Sequence, residues 1–171
     1  MPDKPLSTEQ RALVIARARG CCVYCRSQAR FATQSFSIEH IIPRSKGGET
    51  TAPNLALSCQ GCNNHKYNKI QGQDPISGET VPLFHPRRQY WDDHFTWNDD
   101  YTLILGLSLS GRATVEALKL NREGLVNMRR VLYMMGEHPP PLHHGAGGSP
   151  GRGTGRRRRA PGGSGTRLKR G

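Results

Sequence analysis

Residues 22–62 read CVYCRSQARFATQSFSIEHIIPRSKGGETTAPNLALSCQGC, a stretch opened by Cys22-Val23-Tyr24-Cys25 and closed by Cys59-Gln60-Gly61-Cys62. A gap of two residues lets both thiolates of a pair face one ion in a tight knuckle. Two knuckles complete a tetrahedral four-cysteine site, the closed geometry that structural Zn2+ prefers. The plain alternative, ordinary buried or redox-active thiols, needs two matched pairs to coincide by chance. Cys21 is left over; it competes with Cys22 but lacks the two-residue spacing to Cys25. The segment between the knuckles is longer than in a simple zinc ribbon, so something is inserted there. Because thiolate ligation ties metal binding to folding, removing the ion should unfold this region.

The insert holds an acid beside an imidazole, Glu39-His40, followed by Ile41-Ile42-Pro43-Arg44-Ser45-Lys46-Gly47-Gly48. Zinc asks nothing of this pair. A histidine met alone is read as space-filling with one hydrogen bond, but this one has company: Asn54-Leu55 downstream, then Cys59-x-x-Cys62-Asn63-x-x-Lys66. Neighbouring residues on a regular strand point to opposite faces. Glu39 and His40 can converge only at a bend or a strand end, which Pro43 and Gly47-Gly48 supply.

In combination, CVYC, IEHIIPRSKGG, NL and CQGCNNHK resemble the HNH endonuclease family over roughly residues 20–70. The resemblance implies an α+β fold: a ββα-metal (His-Me finger) nuclease core in which a two-stranded ribbon and a helix clasp a catalytic divalent ion. It implies His40 as general base, Asn54 as the residue holding the ribbon or loop, and Glu39 and Asn63 as oxygen ligands of that ion. Asn63 stands where the family name has its second His; His65 is an alternative ligand, though the family register points to Asn63. An all-oxygen set suits a hard ion such as Mg2+ or Mn2+. Residues 75–131 resemble, less specifically, the C-terminal extension of a bacterial HNH subgroup.

Around this core the reading expects an N-terminal helix in residues 1–20, opened by the Ser7–Gln10 capping box, ended at Gly20, and carrying Leu13, Val14 and Ala18 as its apolar face. A strand or hairpin is expected over 31–42 and a short helix over 63–70, within a nuclease core of 21–70. The extension, 71–136, should be loop-rich, pinned by Phe84, Tyr90, Trp91, Phe95 and Trp97. It should continue as a strand over 101–109 and helix from Thr114, with Asn121 capping a fresh helix whose Leu125, Met128, Leu132 and Met135 share a face. Residues 137–171 read as a disordered Pro/Gly/Arg-rich tail.

The chain has 171 residues and a net charge of +12. Eight of its 25 Lys and Arg lie after residue 144, where no acid occurs, leaving +4 for the rest. Such a balance draws polyanions, most simply nucleic acid. Arg44, Lys46, Lys66 and Arg87 are the candidate phosphate contacts in the folded part, with His85 beside Arg87; Arg122, Arg129 and Arg130 either face DNA or are solvated. No apolar run approaches the roughly 18 residues that span a bilayer. The polar MPDKPLSTEQ start has no apolar leader core, so the expected setting is cytoplasmic, without membrane. Three functions compete: a metal-dependent DNA endonuclease, monomeric or homodimeric; a noncatalytic zinc-stapled nucleic-acid-binding module; and a nuclease acting on RNA. Glu39, His40 and Asn63 together favour the first, because a pure binder needs no such set.

Overall fold

Ser7 opens the first helix, α1 (Thr8–Arg17), through the reciprocal cap that its spacing predicts: its hydroxyl accepts from Gln10 N at 3.2 Å, and Gln10 Oε1 accepts from Ser7 N at 3.0 Å. The computed structural model describes residues 5–141. Val14 and Ala18 are buried, whereas Leu13 is 52% exposed, so the inward face is narrower than expected. The helix stops at Arg17, and Gly20, with φ +69°, turns the chain into the first knuckle.

The insert forms an antiparallel ribbon. Strand β1 (Ser37–His40) pairs with β2 (Leu55–Ser58), Glu39 opposite Ala56 and His40 opposite Leu55. The strand expected over 31–42 contracts to these four residues, with Ala29–Phe31 a 3-10 turn. Strand β2 escaped the sequence reading because all four of its residues are buried, which removes the alternation that marks a strand. Helix α2 (Gln60–Lys66) follows at once, with Cys59 as its N-cap accepting from Cys62 N at 3.5 Å. It starts earlier than the expected 63–70 helix because a cysteine sulfur, not a hydroxyl or carboxylate, does the capping. It ends at Tyr67, whose φ of +46° breaks the helix well before Gly72. Ribbon and helix make the ββα unit, and the α+β class holds.

Beyond it lie a hairpin of β3 (Gln71–Gln73) and β4 (Thr80–Pro82), a short helix α3 (Trp91–His94), a second hairpin of β5 (Phe95–Trp97) and β6 (Ile104–Gly106), and helices α4 (Leu109–Ala117) and α5 (Glu123–Met134). The 101–109 strand shrinks to β6 because Ser108 caps α4, its Oγ accepting from Gly111 N at 2.9 Å. Helix α4 therefore begins before Thr114. Asp74, fully buried, receives a two-pronged Arg112 guanidinium at 2.7 and 2.9 Å, which ties the first hairpin to α4.

Three expectations for α5 are corrected. Asn121 does not cap it; the side chain instead brackets Ile104, accepting from its N and donating to its O, each at 2.8 Å. Met128 and Met135 are exposed, and the residue turned inward beside Leu132 is Arg129, 4% exposed. Its guanidinium donates to Leu120 O at 2.7 Å, Thr102 O at 2.9 Å, Asn121 Oδ1 at 3.1 Å and Cys25 O at 3.4 Å, and lies 5.1 Å from the Trp97 ring centre. Arg129 therefore neither faces DNA nor is solvated.

One apolar cluster joins both knuckles to the extension: Tyr24 and the four paired cysteines pack with Leu83, Phe84, Trp91, Phe95, Ile104, Leu118 and Leu120. Phe84 and Phe95 meet edge to face at 5.1 Å, and Trp91 Nε1 donates to Tyr24 O at 3.0 Å. The aromatics thus pack the extension onto the core, as expected, except that Tyr90 stays 41% exposed. Glu137 and His138 also pack back, through Gln28 Nε2 to Glu137 O at 2.6 Å and His138 Nε2 to Tyr101 O at 2.8 Å. The arginine-rich part of the tail lies outside the described residues. Among the described residues no helix is long and apolar enough to cross a membrane.

Arg129→Ala should lower stability by about 3 kcal/mol or more in urea melts, since buried carbonyls lose a charged donor. Arg130→Ala, on the exposed side of the same helix, should stay within about 0.5 kcal/mol of the parent.

Candidate active site and metal centre

The four sulfurs of Cys22, Cys25, Cys59 and Cys62 lie within 4.8 Å of one another, and all four residues are buried. A tetrahedral Zn2+ with Zn–S bonds of about 2.3 Å spaces its sulfurs about 3.8 Å apart; Cys25 Sγ and Cys59 Sγ stand 3.6 Å apart. Donor type, number and spacing fit the ion. Cys21 is not part of the set, its sulfur facing Arg19 O at 3.7 Å. Burial pushes the Cys22 thiol well up, whereas hydrogen bonds from Cys22, Cys25 and Cys62 hold Cys59 far below the usual thiol range. Four buried sulfurs cannot all ionise without a cation among them.

Four thiolates around one divalent ion still leave net negative charge. Arg122, at the start of α5, meets it with Nη2 at 3.2 Å from Cys59 Sγ and Nη1 at 3.6 Å from Cys62 Sγ. Burial works against the charged guanidinium, but Cys62, Cys25 and Cys59 outweigh it and raise the pKa above the usual arginine value. Gly61 makes the approach possible, because a Cβ there would overlap the Arg122 guanidinium. Arg122, expected at DNA or in solvent, belongs instead to the surroundings of the metal centre.

The ribbon ends where sequence reasoning required, at His40. Beyond it the chain loops out and returns under the control of Asn54, whose Oδ1 accepts from Ile42 N at 2.8 Å while Nδ2 donates to Glu49 O at 2.9 Å and Ile42 O at 3.0 Å. One amide thus pins both ends of the loop. Gly47 turns it at φ +81°, and Gly48 has no room for a side chain against the Ile42 carbonyl. Arg44 and Lys46 sit exposed on this loop, in a 3-10 turn.

Glu39 and His40 take separate partners. The Glu39 carboxylate is 6% exposed; Oε1 accepts from the Tyr24 hydroxyl, and Oε2 lies 3.1 Å from Lys66 Nζ. Burial pushes its pKa up, opposed by Lys66 and by the hydrogen bonds. Lys66 Nζ also donates to His40 O at 3.1 Å, so one ammonium bridges the carboxylate and the end of β1. This corrects the expectation for Lys66: 2% exposed, it is a buried partner of Glu39 and touches no outside phosphate. His40 turns the other way, Nε2 lying 2.9 Å from Thr50 Oγ1. Burial, then Lys66, lowers its pKa, which favours the neutral imidazole. Asn63 lies one turn before Lys66 on α2, on the same side of the helix, and is half-buried; His65 is exposed. A carboxylate and an amide oxygen are suitable donors for a hard divalent ion, but here the carboxylate is already occupied by an ammonium and a phenol.

Of the extension residues, His85 is half-buried, its Nδ1 accepting from Arg87 N at 3.3 Å, and its pKa is lowered by burial, Arg88, Arg87 and Lys66. Sequence reasoning missed Tyr24 and Thr50 and gave Arg122 the wrong surroundings. Tyr24 carried a signal in retrospect, since a knuckle interior is buried and a phenol there needs an acceptor. Thr50 and Arg122 carried none.

Residues 22–69 match the HNH endonuclease family. No curated protein matches the chain. The match ends three residues past Lys66, so Arg122 and the rest of the extension lie outside it.

Arg122→Gln should weaken zinc retention by about tenfold or more, read as faster transfer to a chromogenic chelator, in line with the usual cost of losing a partner of the ligands. Gly61→Ala should act in the same direction, whereas Cys59→Ser should release the metal outright and lower Tm.

Proposed function

We propose that this HNH chain is a metal-dependent endonuclease that hydrolyses phosphodiester bonds in DNA. The observation that carries the reading is His40 at the end of β1, fixed through Nε2 on Thr50, beside a loop that Asn54 locks at both ends. With Nε2 donating to Thr50, Nδ1 holds the lone pair that takes a proton from the attacking water. Such general-base help is typically worth about 10²–10⁴-fold. Arg44 and Lys46, exposed on the locked loop, would hold the flanking backbone. Glu39 and Asn63 would hold Mg2+ or Mn2+, which supplies positive charge against the charge that builds on the phosphate and departing oxygen. The match of residues 22–69 to the HNH endonuclease family supports nucleic acid as the partner class.

A second reading is favoured by one specific feature, the Glu39 carboxylate engaged at both oxygens by Tyr24 and Lys66. With that carboxylate kept for the fold, the chain would be a zinc-stapled nucleic-acid-binding module without catalysis.

A digest of supercoiled plasmid with Mg2+ or Mn2+ separates the two. The endonuclease reading expects nicked or linear product from the parent, at least about 10²-fold less from His40→Ala, and unchanged DNA retention by the substituted protein. Intact plasmid together with tight DNA binding would establish the binding module, and equal cutting by His40→Ala would end the general-base assignment.

A further inference from the structure

Residues of α1, the first knuckle, β2 and the loop of residues 84–91 line a cleft of about 260 Å3. Four arginines from three separate segments line it: Arg17 and Arg19 at the end of α1, Arg26 just past Cys25, and Arg87 in the loop. Among the described residues no carboxylate lines it. Gln89 and the half-exposed Tyr90 add polar atoms to its wall.

Ordinary structural duties account for only part of this cluster. Arg17 donates to Leu55 O, which also answers the negative end of α1. Arg26 lies over the Trp91 ring at 5.1 Å, with Asp92 the nearby acid that favours its charge. Each guanidinium has five N–H donors, and these contacts use few of them. Arg87 Nε is buried with no hydrogen-bond partner. An unanswered donor of this kind is costly unless something arrives to accept from it. Arg87 also stands close enough to Arg17 to disfavour its charge, after burial has done so. Like charges gathered around a hollow are stabilised by an anion within it. The volume lies just under the roughly 300 Å3 at which pockets for larger organic ligands begin, so it suits one phosphate with its sugar and not an extended cofactor.

We propose that this cleft seats a backbone phosphate of the bound nucleic acid, with Arg19 and Arg87 as its principal donors and Arg17 and Arg26 shaping the field. The proposal rests on nucleic acid being the partner; it does not require that the chain cut it. It gives the extension a share in substrate binding, because Arg87 lies outside the family-matched segment.

The test is fluorescence anisotropy of a labelled duplex oligonucleotide on full-length, zinc-loaded His40→Ala protein without added divalent ion, across a range of salt. Arg87→Ala and Arg19→Ala, each in that background, should bind about tenfold more weakly. Each should also flatten the salt slope by about 0.9 for every phosphate the protein no longer neutralises. Arg11→Ala, an exposed α1 arginine outside the cleft, sets the effect of losing any one charge in the presence of the basic tail. Zinc content and Tm exclude misfolding, and Arg87→Lys should recover part of the slope. Affinities and slopes equal to those of Arg11→Ala overturn the proposal. So does a Tm rise with inorganic phosphate that Arg87→Ala abolishes while DNA binding is unchanged, since the cleft would then take a free anion. If the plasmid stays intact but Arg87→Ala weakens binding, the cleft stands and the nuclease reading falls.

Discussion

The fold depends on bringing four thiols from two distant segments to one point. Cys22 and Cys25 belong to a turn after α1; Cys59 and Cys62 open α2, and the ribbon that carries the candidate chemistry is strung between them. Unmetallated, four buried sulfurs would either stay protonated, with nothing to hold them together, or repel one another as thiolates. A tetrahedral divalent ion removes that conflict and turns ligand binding into folding energy. The same cysteines are members of the main apolar cluster, which also contains Phe84, Trp91, Phe95 and Leu118. The metal point therefore anchors both the ββα unit and the extension.

A second constraint follows from charge. Several cations of the folded part turn inward, among them Arg122 on Cys59 and Cys62, Arg129 among carbonyls, Lys66 on Glu39 and Arg112 on Asp74. Each answers a negative centre or a set of lone pairs that the core could not otherwise satisfy. Arg122 and Arg129 both belong to the α5 region, so that helix acts as an electrostatic cover over the knuckles as well as an apolar one. Cations engaged in this way are not available to DNA.

The sequence disclosed those features that spacing or a single residue type controls. The knuckles, the Ser7–Gln10 cap and the strand end at His40 were legible because each needs only local chain geometry, whereas the loop-pinning role of Asn54 was legible only through the family resemblance. Strand β2 was not, because a fully buried strand loses its alternation. Helices α2 and α4 were placed late because their caps, Cys59 and Ser108, lie before the apolar pattern begins. The fates of Lys66, Arg122 and Arg129 were hidden for a deeper reason: a basic residue looks the same in sequence whether it faces solvent, phosphate or a buried anion. Only the long-range packing that brings Glu39 beside Lys66 separates these cases.

That pair also frames the chemical question. A buried carboxylate held by one ammonium and one phenol gains its stability from all of them, and removing a partner leaves an uncompensated charge. A divalent ion is a stronger partner than an ammonium, but it must shed water to enter, and Mg2+ gives up water reluctantly. Under the proposed endonuclease reading the exchange would become favourable only when more than Glu39 contributed: Asn63, on the same helix as Lys66, and oxygens of the phosphate itself. On that reading metal occupancy and nucleic-acid binding would reinforce one another, and Lys66 would serve as the charge that keeps Glu39 folded inward when neither is present. The ammonium would then be a placeholder built into the scaffold, and the catalytic and binding-only readings differ by whether the substrate can displace it.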